Sequence, residues 1–415
     1  KNFKLNDKCF LIKFNSIKSN KRIDAFYYSL GNIFYKSKKF ENKKLSDLVN
    51  IQKGETITSD TKEDGNIPVI AGGQIPAYYN NKSNYKGNVI TISASGAYSG
   101  FVWWHDNPIW ASDCNVLTEK SKETNIKYIY HILKFNQENI YKLQRGSAQP
   151  HVYASDLSEI PIPKPNIETQ NKIIEIMKEA NLLKEKLEKE ADKLLNSIDE
   201  YLLKELDIKI NDNKKKNTFI VKSNELKGKR IDTFWYSLGN MFYKSKKFEN
   251  KKLSDLVNIQ KGETITSNTK EDGDIPVIAG GKVPAYYNNK SNYKGNVITI
   301  SASGSSGYVW WHDNPIWASD CNVLTEKSKE ANIKYIYHIL KFNQENIYKL
   351  QKGSVQSHVY ASDLAEIIIP TPPIEVQQKI VNEINERKQK ALRLQKEAKE
   401  TLENAKSKIE EIIFK

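Results

Sequence analysis

Six histidines, three cysteines and a few serine–carboxylate pairs are the side chains of this 415-residue sequence that could make or break bonds. The histidines fall in three pairs, His105 with His312, His131 with His338 and His151 with His358; Cys114 pairs with Cys321, and Cys9 stands alone. No Cys-x2-Cys or His-x3-His spacing occurs, so the ligand pattern of a zinc site is missing and no metal is expected. Ser95, His105 and Asp113 could be drawn as a nucleophile, base and orienting carboxylate. Any domain of this size offers such a trio, and Cys114 reads more simply as a small buried apolar residue. No Gly-x4-Gly-Lys-[Ser/Thr] stretch is present, so Gly72-Gly73 reads as a turn and not as a phosphate cradle. No catalytic constellation is expected.

Recognition chemistry is better represented. Lys+Arg number 64 and Asp+Glu 50, a net charge of +14 that favours a polyanionic partner. Tyr78-Tyr79, Tyr85, Tyr98, Phe101, Trp103-Trp104 and Trp110 are interleaved with Asn80, Asn81, Lys82 and Lys86. Aromatic faces beside Lys and Asn suit contacts to nucleic-acid backbone and base edges. The tryptophans read mostly as core, so loop positions are the stronger candidates. Those selected for DNA contact are Gln74, Tyr78, Tyr79, Lys82, Lys86, Ser95, Tyr98, Ser99, Arg145, Ser147, Gln149 and His151. Their counterparts are Lys282, Tyr286, Tyr287, Lys290, Lys294, Ser303, Ser305, Ser306, Lys352, Ser354, Gln356 and His358. Lys142 joins the cations expected to meet phosphates. Asp106-Asn107-Pro108-Ile109-Trp110 faintly resembles the Asn-Pro-Pro-Tyr motif of adenine amino-methyltransferases, but lacks its second proline and any Gly-rich cofactor loop.

The counterparts exist because one unit is written twice. Arg22-Ile23-Asp24 recurs as Arg230-Ile231-Asp232, and from Phe34 to Ala94 the copy differs only at Asp60→Asn268, Asn66→Asp274, Gln74→Lys282 and Ile75→Val283. Ala97-Tyr98-Ser99-Gly100 then becomes Ser305-Ser306-Gly307, one residue shorter. Past Pro165 identity collapses while the apolar pattern persists. Two copies are too few for a solenoid and suggest a pseudo-two-fold protein.

Short strands are expected at Ile67 to Ile70 and Asn88 to Ser93, with Gly/Asn/Ser loops between them, and a helix over Asn125 to Tyr141. The prolines of Ile160 to Pro165 demand an extended exit. Ile173, Met177, Ala180, Leu187, Ala191, Leu194, Ile198 and Tyr201 then recur at steps of three and four, interrupted by Lys184. Ile380, Ile384, Arg387, Ala391, Leu394, Ala398, Thr401 and Ala405 hold the same register. These are coiled-coil seams on two long helices. Ala391, Ala398 and Ala405, every seventh residue, allow a close antiparallel approach. The expected fold is α+β, with two near-identical mixed α/β domains separated by an antiparallel coiled coil. The divisions are 1–165 for the first domain with an arm at 1–35, 166–206 for the first helix, 207–373 for a linker and second domain, and 374–415 for the second helix.

Gly146-Ser147-Ala148-Gln149-Pro150-His151-Val152-Tyr153-Ala154-Ser155-Asp156-Leu157, then Ile160-Pro161-Ile162-Pro163 and Gln170 at the head of a helix, make the resemblance specific. They resemble the target recognition domain of the specificity subunit of type I restriction–modification systems. Gly353 to Leu364, Ile369-Pro370, Pro372-Pro373 and Gln377-Gln378 repeat the pattern, with Ser357 and Ile368 replacing prolines. The resemblance covers nearly the whole chain. It implies a non-catalytic, cytoplasmic subunit that reads a bipartite target in double-stranded DNA. Its partners would be two methyltransferase subunits and restriction endonuclease subunits, which would use S-adenosylmethionine, ATP and Mg; no cofactor is expected on this chain. An alternative is the C-terminal specificity region of a single-chain restriction–methylation enzyme, suggested by the missing initiator Met and by the likeness of the segment before Arg22 to Phe219–Lys229. An aromatic-rich glycan binder is a more distant one. The apolar Ile409, Ile412, Ile413 and Phe414 are read as material for partner contact or as a cap on the helix pair. No segment of about 18 apolar residues is present to cross a bilayer.

Overall fold

A computed structural model describes residues 33–58, 60, 63–146, 148–209, 242–269, 271–353 and 355–415. The arm repeats at Arg22 and Arg230, most of the linker, Ser147 and Ser354 lie outside the described residues. The chain divides into two compact units, the first ending at Glu188 but regaining Lys396–Lys415, the second spanning Lys189–Gln395.

In the first unit β1 (Asn42–Lys44), α1 (Leu45–Leu48), β2 (Val49–Lys53), β3 (Ile67–Ile70), β4 (Tyr78–Asn80), β5 (Val89–Ser93), β6 (Val102–His105), β7 (Trp110–Ala111) and β8 (Cys114–Glu119) precede the helices. Then come α2 (Ile126–Phe135), α3 (Gln137–Tyr141), α4 (Ala154–Ser158), β9 (Pro161–Pro163) and the long α5 (Ile167–Glu205). β5 is buried at every position, as its unbroken Val-Ile-Thr-Ile run requires, and it lies inside the antiparallel sheet β2-β8-β5-β6. A smaller sheet, β4-β3-β7, holds β3 parallel to β7 and antiparallel to β4. The prolines of β9 leave it only an edge role, paired with β1 through Asn42↔Pro163 and Lys44↔Pro161.

The helix expected over Asn125 to Tyr141 is two helices. Asn125 caps α2 by accepting from the Lys127 amide at 2.9 Å. At Asn136 (φ −93°, ψ 16°) the chain turns, and the buried side chain donates to the Ile132 carbonyl at 3.1 Å. This side-chain bond to the preceding turn competes with continued helix. The core lies around Ile90, Ile92, Leu117, Ile129, Ile132 and Leu133, all fully buried. Ile409, Ile413 and Phe414 belong to that same core, and Phe414 stacks on Phe135 with centroids 5.2 Å apart. Of the two sequence readings for these residues, partner contact is corrected for these three: the first domain covers them.

The second unit repeats the order: β10 (Glu249–Lys252), α6 (Leu253–Leu256), β11 (Val257–Lys261), β12 (Ile275–Ile278), β13 (Tyr286–Asn288), β14 (Val297–Ser301), β15 (Val309–His312), β16 (Trp317–Ala318) and β17 (Cys321–Glu326). It continues with α7 (Ile333–Phe342), α8 (Gln344–Tyr348), α9 (Ala361–Ala365), β18 (Ile368–Thr371) and α10 (Ile374–Ile413). Its sheets are β11-β17-β14-β15 and β13-β12-β16.

Both long helices carry a fully buried glutamine in their first turn. Gln170 accepts from the Asn125 amide at 2.8 Å and donates to the Pro165 carbonyl at 3.0 Å; Gln377 does the same with Asn332 and Pro372. That tie fixes each helix to its own domain. Ile173, Ala180, Leu187, Ala191, Ile380, Ile384, Ala391, Ala398 and Ala405 are buried, as the seam requires. Within the second unit Lys379 reaches Glu205 at 3.2 Å, Arg387 the Ser197 carbonyl at 2.9 Å, and Lys390 reaches Glu190 at 3.5 Å. One number climbs as the other falls, so the helices run antiparallel there. Arg387, a cation in an apolar register, stacks over the Tyr201 ring at 4.7 Å and pairs with Glu383 at 2.7 Å.

Candidate nucleic-acid interface

Three loops meet in each unit. In the first, the β3–β4 loop approaches the β5–β6 loop so closely that a Cβ on Gly72 would stand 2.5 Å from the Ser95 carbonyl oxygen. The β5–β6 loop is bound to the segment before α4 by the Gly96 amide on the Pro150 carbonyl (3.0 Å) and the Val152 amide on the Ala94 carbonyl (2.9 Å). Gln144 donates to the Ser99 carbonyl at 2.7 Å, and Gln74 lies beside the Tyr141 hydroxyl. Residues far apart in sequence thus form one surface: Gln74, Tyr98 and Gln149 are exposed on it, and His151 is half-buried beside the exposed Tyr153.

The expected contact residues do not all lie on that surface. Tyr79 is exposed on β4, whereas Tyr78 turns its hydroxyl inward to donate to the Ile57 carbonyl, and Tyr286 does the same to Ile265. Lys82 is engaged by Glu63 at 2.8 Å and Lys290 by Glu271 at 3.0 Å, while Lys86 and Lys294 are exposed. Ser95 and Ser303 are buried and spend their hydroxyls on Asp113 and Asp320. Ser99 and Ser306 are completely buried, so their side chains support the loop from within. Arg145 and Lys352 hold the buried carboxylates of Asp156 and Asp363 at 2.7 and 2.6 Å, a scaffold role that competes with phosphate contact. In the second unit Tyr287 and Gln356 are exposed and Ser305 and His358 half-buried; Lys282 is exposed with its Nζ 5.7 Å from the Tyr308 ring. Sequence reasoning missed the supporting Tyr141 and Tyr348, and the exposed Ile75, Val283, Tyr153 and Tyr360. The Ile75→Val283 difference was the available signal for one pair.

No triad forms. Ser95 bonds Asp113 directly, and His105 instead meets the Thr91 hydroxyl at 2.8 Å. Among the described residues no group of three His, Cys, Asp or Glu side chains could hold a metal ion, and no helix is long and apolar enough to cross a membrane. Cys114 and Cys321 are wholly buried, and burial pushes both thiols up to about 12.

Burial pushes His105, His131 and His312 down to about 4 and His338 to about 3; Lys127 adds to the effect at His131, and Lys388 then Lys334 at His338. Each is held neutral when folded, while the unfolded chain protonates near pH 6.5. Stability is therefore full above about pH 6.5 and is lost as pH falls towards 4, by roughly 2–3 kcal/mol per histidine. Urea denaturation from pH 7 to 4.5 checks this: His131→Gln should flatten the slope, and an unchanged slope would contradict the assignment.

The sequence model described as the type I restriction modification DNA specificity domain matches residues 37–200 and again 245–404. A Mycoplasma pneumoniae protein named as a type I specificity subunit is 23% identical over 336 residues, covering 79% of this chain and 83% of that protein. The specificity subunit of a type I restriction enzyme from Methanocaldococcus jannaschii is 23% identical, covering 79% and 78%. In three dimensions the chain is similar to the S subunit of a type I restriction–modification system from M. genitalium, with a TM-score of 0.57 at 19% identity over 91% of this chain and 98% of that one. Two family matches, one in each three-loop unit, answer to the duplication seen in the sequence: the chain belongs to the type I restriction–modification DNA specificity family.

Proposed function

We propose that this chain is the non-catalytic, sequence-reading subunit of a type I restriction–modification complex, working in the cytoplasm. It reads a bipartite target in double-stranded DNA for two methyltransferase subunits and for restriction endonuclease subunits. S-adenosylmethionine, ATP and Mg would be used by those partners. The observation that carries this reading is the three-loop surface, presented once in each unit on near-identical scaffolds. Each surface offers an exposed amide or ammonium (Gln74, Lys282) beside exposed Gln149 or Gln356, the groups that read base edges in a major groove. The +14 net charge supplies the sequence-independent attraction.

Fluorescence anisotropy with duplex DNA at varied salt tests it. With about six phosphates neutralised, affinity should fall about 1,000-fold between 50 and 200 mM salt. Lys86→Ala, which removes an exposed cation, should reduce the slope by about one at every sequence. A flat salt response would contradict DNA binding.

A further inference from the structure

The two domains share one fold and nearly one sequence, so the positions where they differ carry information about what each must do differently. Along the chain these positions look scattered. In the structure about half of those from Phe34 to Lys164 gather on the three-loop surface: Gln74/Lys282 and Ile75/Val283 on the first loop, Ala97-Tyr98-Ser99/Ser305-Ser306 and Phe101/Tyr308 on the second, Ala148/Val355 and Pro150/Ser357 on the third; Ser158/Ala365, Pro161/Ile368 and Lys164/Thr371 fall at the end of the short helix and on the strand that lead to the long helix. The differences elsewhere are quieter. Arg145/Lys352 keeps its pairing with the same buried aspartate, and Thr124 and Ala331 are both buried away from solvent. Asp60/Asn268 and Asn66/Asp274 exchange acid for amide in opposite directions on the segment before β3 and β12.

The changes within the surface are coordinated. In the first unit Gln74 lies beside the Tyr141 hydroxyl, Tyr98 stands 47% exposed, and Gly96 leans on Pro150. In the second Tyr98 has no counterpart. Lys282 takes the place of Gln74, its Nζ 5.7 Å from the Tyr308 ring and 6.0 Å from Tyr348, which stands where Tyr141 does. Tyr308 also carries the Lys341 ammonium at 4.3 Å. The shortened loop shifts its support: the Ser305 amide donates to Gly280 at 2.7 Å, and the Ser306 hydroxyl meets that of Ser357 at 2.8 Å. An amide with an exposed phenol has become an ammonium on an aromatic shelf.

A glutamine amide donates and accepts at once, matching the N7 and N6 edge of adenine. An ammonium only donates, matching O6 and N7 of guanine and meeting the adenine amino group donor to donor. We propose, on the basis of the DNA-reading function above, that the two half-sites are unequal at the base pair under this surface: the first domain takes adenine there through Gln74, the second guanine through Lys282. The scaffold is shared, so any further difference between the halves falls to the other exposed positions that differ, Ile75/Val283, Tyr98 and Ala148/Val355.

Selection of bound duplexes from a randomised double-stranded pool by the full chain, and by its Lys282→Gln and Gln74→Lys variants, tests this. Both side chains are exposed. The unaltered chain should enrich a bipartite sequence whose halves match except at one or a few pairs. K282Q should move the preference in one half from guanine to adenine by roughly tenfold or more, and Q74K should do the reverse in the other half. Halves that are identical in the unaltered chain, or preferences that both variants leave within about twofold, would overturn the inference while leaving the DNA-reading function standing. Failure to enrich any sequence would overturn that function and this inference with it.

Discussion

A chain shortened to end at Lys408 should lose the stability of its first unit while keeping that of its second. The removed segment carries Ile409, Ile413 and Phe414, which are 3%, 0% and 8% exposed in the core of the first unit, with Ile412 packed against them. Phe414 is stacked on Phe135 at 5.2 Å and lies 5.7 Å from Tyr35. Burying such side chains contributes about 1.5–3 kcal/mol each, so their loss amounts to roughly 6 kcal/mol or more, comparable with the whole stability of an ordinary domain. The second unit draws its core from Leu202, Leu206, Ile380, Val381 and Ile384 and from no buried residue after Ile384. Scanning calorimetry should show one of two transitions displaced far downward or abolished and the other unmoved. Equal displacement of both, or of neither, would contradict the assignment of these residues to the first core.

The same residues show what the sequence could and could not convey. Periodicity located both helices to within a few residues and placed Ala391, Ala398 and Ala405 on the buried seam, because a step of seven is a local property of the chain. It could not say what covers Ile409, Ile413 and Phe414, since the partner surface, including Phe135, lies far away in sequence. The break at Asn136 was hidden for another reason. The apolar spacing continues across it, and only the bond from its side chain back to Ile132 reveals the turn. In the candidate site the exposed polar residues were legible as loop positions, but their roles were not. Ser95, Ser99, Tyr78 and Arg145 have the chemistry of DNA contacts, yet the fold turns each inward to hold a loop or a buried carboxylate. Trp103 and Trp104 pack against cores, as a large aromatic on a half-covered strand should.

Two nearly equal readers could face a direct repeat or an inverted one, and helix direction favours the inverted form. Within the second unit the helices run antiparallel, from Lys379–Glu205 to Lys390–Glu190, and within the first the start of α5, Ile173 and Ile174, shares a core with Ile409 and Ile413 near the end of α10. Readers related by a two-fold axis would meet equal sequences on opposite strands, because duplex DNA has the same symmetry. The target expected is an interrupted palindrome, broken where the two surfaces differ, as at Gln74 and Lys282. Helices of 39 and 40 residues are about 60 Å long, and if they set the distance between half-sites the spacer is at most about 18 base pairs. Removing two heptads from both together should shorten the preferred spacer. The most direct measurement is the affinity of the full chain for two duplexes carrying the same half-sites and spacer, one pair inverted and one direct. The inverted duplex engages both domains and should bind at least about 1,000-fold more tightly than non-specific DNA. The direct duplex engages one domain specifically and should lose most of that margin. Equal affinity for both, or preference for the direct repeat, would contradict the antiparallel reading of the target.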